Sequence, residues 1–128
     1  YLLAGYTCTP LVKFPIADLK PGDKVRGTTI AEFGAGNRVL DMIVYKKGGQ
    51  EFLLTTNNSR GVMKIPTSTF ASATPITAPV DSETGGVPFE KVKSMTGIVQ
   101  MDKLDEQHSI VIARAASGPA HLQVLPLP

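Results

Sequence analysis

Two arginines and one aspartate in predicted loops are the charged residues best suited to bind a ligand. Arg38 and Arg60 each carry a planar guanidinium group, which can hold an anionic ligand or a partner's carboxylate through two parallel hydrogen bonds. Asp41 follows Arg38 closely in the sequence and belongs to the same candidate set. The alternative is a solvated loop, or a structural salt bridge with Asp41. That alternative is the commoner outcome, because most surface ion pairs have no further role.

Asn57, Asn58 and Cys8 complete the set of candidate binding residues. Asparagine side chains bond to their own backbone and tolerate the left-handed conformation, so turn formation is the default role of the Asn57–Asn58 pair. A cysteine thiolate can serve as a nucleophile or as a soft metal ligand where a basic neighbour activates it. Neither histidine is near Cys8 in the sequence, so a small buried turn residue is the favoured interpretation.

The other residues capable of chemistry form no recognisable catalytic or metal-binding motif. His108 and His121 are separated by a predicted strand, whereas a metal site needs three or four ligands at suitable spacing. Asp102, Asp105 and Glu106 lack the glycine and the terminal glutamate of a calcium loop, and they are interpreted as a solvated hairpin tip. The sequence has no haem-attachment motif, phosphate-binding loop or nucleophile elbow. We predict no metal site, and the sequence identifies neither a catalytic residue nor a cofactor.

Length, charge and apolar content indicate a globular chain and limit the classes of partner that it could bind. The 128 residues carry a net charge of +2 with both signs interspersed, which argues against the dense basic face that nucleic acid requires. No apolar run approaches the roughly 20 residues of a membrane-spanning helix. The chain begins at Tyr1 without an initiator methionine, so we expect residues to precede it, and the absence of a signal-peptide pattern says little. The single cysteine leaves the compartment open, with a periplasmic or secreted location favoured.

Proline, glycine and short apolar runs predict an all-β fold. Ten prolines and twelve glycines in this length argue against long helices. Runs of about four to eight apolar and β-branched residues, separated by Gly, Asn, Ser and Pro, are typical of strands. These runs are Leu40–Tyr45, Glu51–Thr56, Gly61–Ile65, Gly97–Met101, Ser109–Ala113 and His121–Leu125.

An internal repeat organises the predicted strands. Tyr1-Leu2-Leu3 aligns with Phe52-Leu53-Leu54 at an offset of 51 residues. The same offset places Leu11-Val12-Lys13-Phe14-Pro15 on Val62-Met63-Lys64-Ile65-Pro66. Each copy therefore contains a strand, a polar turn, and a second strand that ends in lysine, a large apolar residue and proline.

A weaker third copy and the flanking strands extend the repeat over the whole chain. Ile110–Ile112 and Leu122–Val124 form the third hairpin, in which Gln123 replaces the lysine. Each unit is predicted to hold up to four antiparallel strands, A to D. Strand D of the first unit is predicted over Lys24–Phe33 and that of the second over Phe70–Pro79. The predicted units are approximately 1–36, 37–90 and 91–128.

The repeat unit resembles a blade of a β-propeller. The stretch Leu40–Pro66 contains a strand, a Gly-Gly turn, a strand, an asparagine-rich turn and a strand. This order is similar to blades of the NHL, YVTN and quinoprotein-like propellers. The resemblance implies antiparallel four-stranded blades, about two and a half of them, in a single partial propeller domain that is the C-terminal part of a larger propeller. The chain has no tryptophan, so the tryptophan-containing docking motif of many quinoprotein blades is missing.

The resemblance also implies where a ligand would bind. In a propeller the loops from B to C, and from D to the next A, gather on one face around the channel mouth. In this sequence those loops carry the candidate residues Cys8, Arg38, Asp41, Asn57, Asn58 and Arg60. We therefore expect the six candidates on one loop face.

Three functional hypotheses follow. An incomplete propeller cannot close its ring, so the resemblance implies that the remaining blades lie on another chain or on a preceding N-terminal segment. In the first hypothesis the chain completes a propeller that binds a ligand or a protein, without catalysis of its own. In the second it belongs to a propeller oxidoreductase whose cofactor and catalytic residues lie mostly on the missing blades. The third is a self-contained small β-barrel binding domain, suggested by the turn sequence Leu19–Val25.

Overall fold

The computed structural model describes residues 1–7, 10–81 and 84–128, and these residues form an all-β fold. Two short 3-10 helices, Ile16–Asp18 and Thr67–Thr69, follow the second and sixth strands. The predicted fold class is confirmed at this level. The strands within the described ranges are β1 (Leu2–Gly5), β2 (Pro10–Phe14), β3 (Thr28–Glu32), β4 (Val39–Lys47), β5 (Gln50–Asn57), β6 (Gly61–Pro66), β7 (Gly85–Gly86), β8 (Glu90–Lys91), β9 (Ile98–Lys103), β10 (His108–Arg114) and β11 (Ala120–Pro126).

The described strands form three separate antiparallel sheets, and they do not close into one sheet. Sheet 1 has the order β1-β2-β3-β7, sheet 2 the order β4-β5-β6-β8, and sheet 3 the order β11-β10-β9. Each sheet takes three consecutive strands from one stretch of the chain: β1 to β3, β4 to β6, and β9 to β11. Hairpin pairing between chain neighbours therefore builds most of each sheet.

The β4–β5 hairpin shows how local sequence sets strand pairing. Lys47 pairs with Gln50, which leaves Gly48 and Gly49 as a two-residue turn. Both glycines have positive φ, 58° and 76°, as the preferred two-residue hairpin turn requires. The predicted Gly-Gly turn is confirmed, and it helps to fix the register of both strands.

The 51-residue sequence match is also a structural repeat. Leu2 pairs with Phe14 in β1–β2, and Leu53 pairs with Ile65 in β5–β6. Each residue of the first pair therefore corresponds to a residue of the second pair at the same offset of 51. In both copies a proline and then a 3-10 helix follow at that offset. The two lysine-containing strands therefore occupy equivalent places in sheets 1 and 2.

The third copy aligns with the second through a β-bulge. The first strand of sheet 2 and that of sheet 3 each have one extra residue, Leu40 in β4 and Val99 in β9. When these bulges are aligned, the strand pairing places Val124 at the position of Lys64. The sequence alignment placed Gln123 there and is one residue out of register. The β10–β11 turn is also longer than the β5–β6 turn.

The fourth strand predicted for the second unit, Phe70–Pro79, is wrong. Residues 70–81 contain no strand, and this segment runs beside sheet 1, where the Ile76 N–H donates to the Thr29 carbonyl at 3.0 Å. β7 then joins sheet 1 beside β3, and only β8 returns to sheet 2 beside β6. Two prolines in the segment remove N–H donors that a ladder needs. The first unit's fourth strand, predicted over Lys24–Phe33, is present as β3.

Sheet 2 lies between sheets 1 and 3 and packs against both. Leu53 and Leu54 are neighbours on β5, and alternation along the strand sends their side chains to opposite faces. The buried cluster between sheets 1 and 2 contains Leu11, Ile30, Ala31, Phe33, Leu53, Met63, Ile65, Phe70 and Val87. The buried cluster between sheets 2 and 3 contains Ile43, Tyr45, Phe52, Leu54, Val62, Val92, Met95, Ile98, Met101, Val111 and Leu127.

Tyr45 ties sheet 2 to the last described residue. Its hydroxyl donates to the backbone oxygen of Pro128 at 2.5 Å, and Lys64 Nζ donates to the same oxygen at 3.1 Å. Burial of the phenol, with a smaller contribution from the charge of Glu90, raises the pKa of Tyr45 to about 12. The phenol therefore stays neutral and keeps its hydrogen bond at neutral pH.

The raised pKa of Tyr45 predicts a loss of stability at alkaline pH. The contribution of this group is fully present below the unfolded value of 10 and is lost as the pH rises toward about 12. We expect the free energy of unfolding to fall by about 2 kcal/mol over this interval on account of Tyr45. Urea titrations of the native protein and of Tyr45→Phe across the interval measure the effect. Equal slopes for the two proteins would contradict it.

Candidate functional site

Three loops meet at one end of sheets 1 and 2, and we call this region the loop end. It consists of Thr7, the connection 34–38 and the turn 57–61. Thr7 forms an antiparallel bridge with Arg38. The Arg38 N–H donates to Asn58 Oδ1 at 2.5 Å, and the Asn58 N–H donates back to the Arg38 carbonyl at 3.1 Å. A loop from each of the first two hairpins and the connection between them are thus brought together.

A buried pair of asparagines holds the loop end together. Asn37 Nδ2 donates to Asn57 Oδ1 at 3.0 Å, and both side chains are almost fully buried. Asn57 Nδ2 also lies 3.3 Å from the Gly61 carbonyl, and the Ser59 N–H lies 3.4 Å from Asn37 Oδ1. Among the described residues, no buried side-chain polar atom lacks a hydrogen-bond partner. Asn57 therefore stabilises the loop conformation from inside.

Two substitutions at the loop end compare the effect on stability of truncating a buried side chain with that of truncating an exposed one. Asn57→Ala should lower the free energy of unfolding by about 1–3 kcal/mol, because it leaves the buried Asn37 amide without its partner. Arg38→Ala removes only an exposed side chain and should change stability by less than about 0.5 kcal/mol. Chemical denaturation of both variants measures the difference. If Asn57→Ala is as mild as Arg38→Ala, the buried pair does not hold the loops.

Arg60 and Asp41 have different surroundings. Arg60 is half-buried, and its Nε donates to the Phe33 carbonyl in the connection between sheets 1 and 2. Asp41 points toward sheet 3, where its Oδ2 accepts from the Met101 N–H at 2.9 Å. Its Oδ1 accepts from the Met42 N–H, also at 2.9 Å. Asp41 is thus a bridge between sheets 2 and 3.

The structure therefore brings four of the six predicted candidates to the loop end. Arg38, Asn57, Asn58 and Arg60 lie there, and the exposed members are Arg38 and Asn58. Asp41, which was predicted to lie in a loop, lies within strand β4 and bonds to sheet 3 instead. Cys8 lies outside the described residues.

Two lysines form contacts between sheets that sequence reasoning missed. Lys13 Nζ, on sheet 1, donates to the Phe70 carbonyl, which lies after the last hairpin strand of sheet 2. Its repeat counterpart Lys64, on sheet 2, makes its bond beyond the last strand of sheet 3. Each ammonium also lies over an aromatic ring, 5.2 Å from that of Tyr1 and 4.2 Å from that of Phe52. The only sequence signal for these contacts was the lysine that recurs two residues before a proline in both copies.

The turn after β9 contains Asp105 and Glu106, two of the three acidic residues that were interpreted as a hairpin tip, while Asp102 lies within β9. Asp105 Oδ1 accepts the N–H groups of Gln107 and His108 at 2.7 and 2.8 Å, and the imidazole Nδ1 lies 3.0 Å away. These bonds, led by that from Gln107, lower the pKa of the Asp105 carboxyl. The residues that the structure describes include no group of three potential metal ligands. Asp105 serves to close the hairpin turn.

The fold and the repeated contacts define an all-β repeat protein with three sheets stacked face to face. Comparison of the chain with family models, with curated proteins and with solved structures found no match. No helix in the described part of the chain is long and apolar enough to cross a membrane. The stacking of the sheets and the exposed loop end are therefore the features that bear on function.

Proposed function

We propose that residues 1–128 form neighbouring blades of a β-propeller, and that the loop end is a non-catalytic surface for a ligand or protein. The observation that carries this proposal is a sheet-to-sheet contact that occurs twice. Sheet 1 packs on sheet 2 with Leu11 and Lys13, and sheet 2 packs on sheet 3 with the repeat counterparts Val62 and Lys64. Both stacking steps run in the same direction, which is the relation between successive blades of a ring.

The outer sheets support a continuation of the stack. Leu11 and Val62 are 0% and 2% exposed, whereas Leu122, at the same repeat position in sheet 3, is 70% exposed. On the opposite side, Leu53 is 1% exposed and its counterpart Leu2 in sheet 1 is 50% exposed. Apolar positions that are buried between neighbouring sheets are thus exposed on the outer faces of sheets 1 and 3. Exposed apolar faces of this kind mark interaction surfaces.

The loop end supports a binding role. Its buried asparagine pair fixes the backbone, while Arg38 and Asn58 remain exposed on the outside. A rigid base with an exposed guanidinium suits recognition of a carboxylate on a ligand or on an acidic protein segment. One backbone bond of the loop end has an equivalent in sheet 3, where the Arg114 N–H donates to the Gly97 carbonyl at 2.8 Å, as the Asn58 N–H does to the Arg38 carbonyl. A ring would place these loops side by side at one mouth of its channel.

Small-angle X-ray scattering on the assembly in which the chain is isolated tests the proposal. We expect the profile of a short disc with a central channel, because stacked sheets that turn by a constant angle close into a ring of about four to eight. The profile of an isolated three-sheet particle, or of an elongated stack, would contradict a propeller.

A further inference from the structure

We infer that a groove beside sheet 3 binds a small anionic ligand through carboxylate or phosphate oxygens. The groove lies between the segment 94–98, which leads into β9 from the side of sheet 2, and the strands β10 and β11. Its volume of about 450 Å³ is in the range of small-molecule sites. It is on the face of sheet 3 that points toward sheet 2, so the outer faces of sheets 1 and 3 take no part in it. Binding here does not require the propeller proposed above.

Strand alternation places two polar side chains of β11 on the wall of this groove. Val111, which is buried between sheets 2 and 3, pairs with Gln123, and Ala113 pairs with His121. Paired residues of an antiparallel ladder lie on the same face, so the amide and the imidazole point toward sheet 2. Ala113 and Leu125 pack against the buried cluster on this face. The groove therefore has an apolar base with an amide and an imidazole beside it.

The polar groups that line the groove are suited to an anion. Arg114, at the end of β10, contributes positive charge, and the lining described here contains no aspartate or glutamate. Ser94 and Thr96 add two hydroxyl groups from the opposite side. In the described part of the chain, no hydrogen bond or ion pair engages the side chains of Arg114, His121 or Gln123. Their N–H donors are therefore available, and such donors bind carboxylate and phosphate oxygens.

The repeat shows that packing between sheets does not account for these polar residues. In sheet 2 the position of Gln123 is occupied by Met63, which is fully buried against sheet 1. The position of His121 is occupied by Gly61. Sheet 3 thus has an exposed amide and an exposed imidazole where the preceding sheet has a packed thioether and no side chain. An apolar base with a few convergent polar groups is the usual composition of a ligand site.

Titration of the ¹⁵N-labelled chain with benzoate, followed by heteronuclear NMR, tests the inference. We expect saturable shifts of the Thr96, Gly97 and Ala113 amide signals, with a Kd of about 1–10 mM for so small a probe. Benzamide has the same size without the charge and should bind at least about tenfold more weakly. Inorganic phosphate, titrated in the same way, distinguishes the two oxyanions. Shifts with benzoate alone identify a carboxylate ligand, and stronger binding of phosphate identifies a phosphate ligand.

Two substitutions test the side chains that carry the site. Arg114→Gln should weaken binding of benzoate at least about tenfold, because it removes the charged donor. Gln123→Met introduces the residue that sheet 2 has at this position and should weaken binding at least about threefold. Both positions are exposed, so the fold should survive, and circular dichroism verifies this. Arg26→Gln is the matched control, since Arg26 is an exposed arginine in the connection between β2 and β3, and it should leave binding unchanged.

The outcomes distinguish this site from the proposed function. Absence of saturable shifts with both anions, equal binding of benzamide, or binding that survives both substitutions would overturn the inference. Shifts centred on Arg38 and Asn58 would overturn it as well, while supporting the loop end as the binding surface. A scattering profile without a ring would contradict the propeller and leave the groove unaffected.

Discussion

Leu54→Ala should lower the free energy of unfolding by about 2–5 kcal/mol. Leu54 is fully buried in the cluster between sheets 2 and 3, and it packs among residues from both sheets. The substitution removes apolar contacts and leaves a cavity that two packed sheets cannot easily close. Urea denaturation followed by circular dichroism measures the change.

Leu104→Ala provides the matched control for this prediction. Leu104 is 50% exposed in the turn after β9, so its truncation should cost less than about 0.5 kcal/mol. The comparison keeps the chemical change constant and varies only burial. Equal losses for the two variants would show that the β5 face toward sheet 3 is not in a packed core.

Gly86→Ala should destabilise the protein by about 3 kcal/mol and release β7 from sheet 1. Gly86 has a φ of 84°, which alanine disfavours, and an added Cβ would lie 2.2 Å from the Ile30 carbonyl oxygen. Because the obstructing atom belongs to the backbone of β3, the strand itself must move. The Val87 N–H, which donates to that same oxygen at 2.9 Å, should lose its protection from hydrogen exchange.

Gly49→Ala is the control that isolates the steric effect. Gly49 also has a positive φ, 76°, but an added Cβ there would meet no atom within 4 Å. This variant should cost about 1 kcal/mol, from backbone conformation alone. Similar losses at both glycines would mean that β7 does not press against β3 as described.

The strands of the three hairpins could be predicted from the sequence because their signals are local. Alternating apolar residues, the Gly-Gly turn and the match between Leu2–Leu3 and Leu53–Leu54 all lie within short stretches. Register follows from the same features, since a shift by one residue would turn the buried face of a strand to water. The pairings Leu2 with Phe14 and Leu53 with Ile65 bear this out.

The return path through residues 70–92 could not be predicted because tertiary contacts decide it. β7 and β8 are two residues long and carry no periodic pattern. Their positions depend on the burial of Val87 and Val92 in different clusters, one on each side of sheet 2. The bond from Lys13 to the Phe70 carbonyl likewise joins residues far apart in the chain. Such contacts leave no local trace beyond the repeated lysine.

The sequence assigned Arg38, Asn57, Asn58 and Arg60 to loops, but it did not predict the contacts that each of them makes. Loop position alone identified Arg38 and Asn58, whose side chains are exposed in the structure. Asn57 has the same residue type as Asn58 but turns inward to pair with Asn37. The sequence cannot show which of two adjacent asparagines is buried, because the partner Asn37 lies 20 residues earlier, in the connection between sheets 1 and 2.

A methyl NOE experiment on the native chain tests the central claim, that sheet 2 is enclosed between sheets 1 and 3, most directly. Leu53 methyls should show cross-peaks to Leu11 and Ile30, while Leu54 methyls show cross-peaks to Met101 and Val111. Cross-peaks from both leucines to sheet 1, or from both to sheet 3, would contradict the stack. Cross-peaks between Leu11 and Val111, which belong to separate clusters, would contradict it as well.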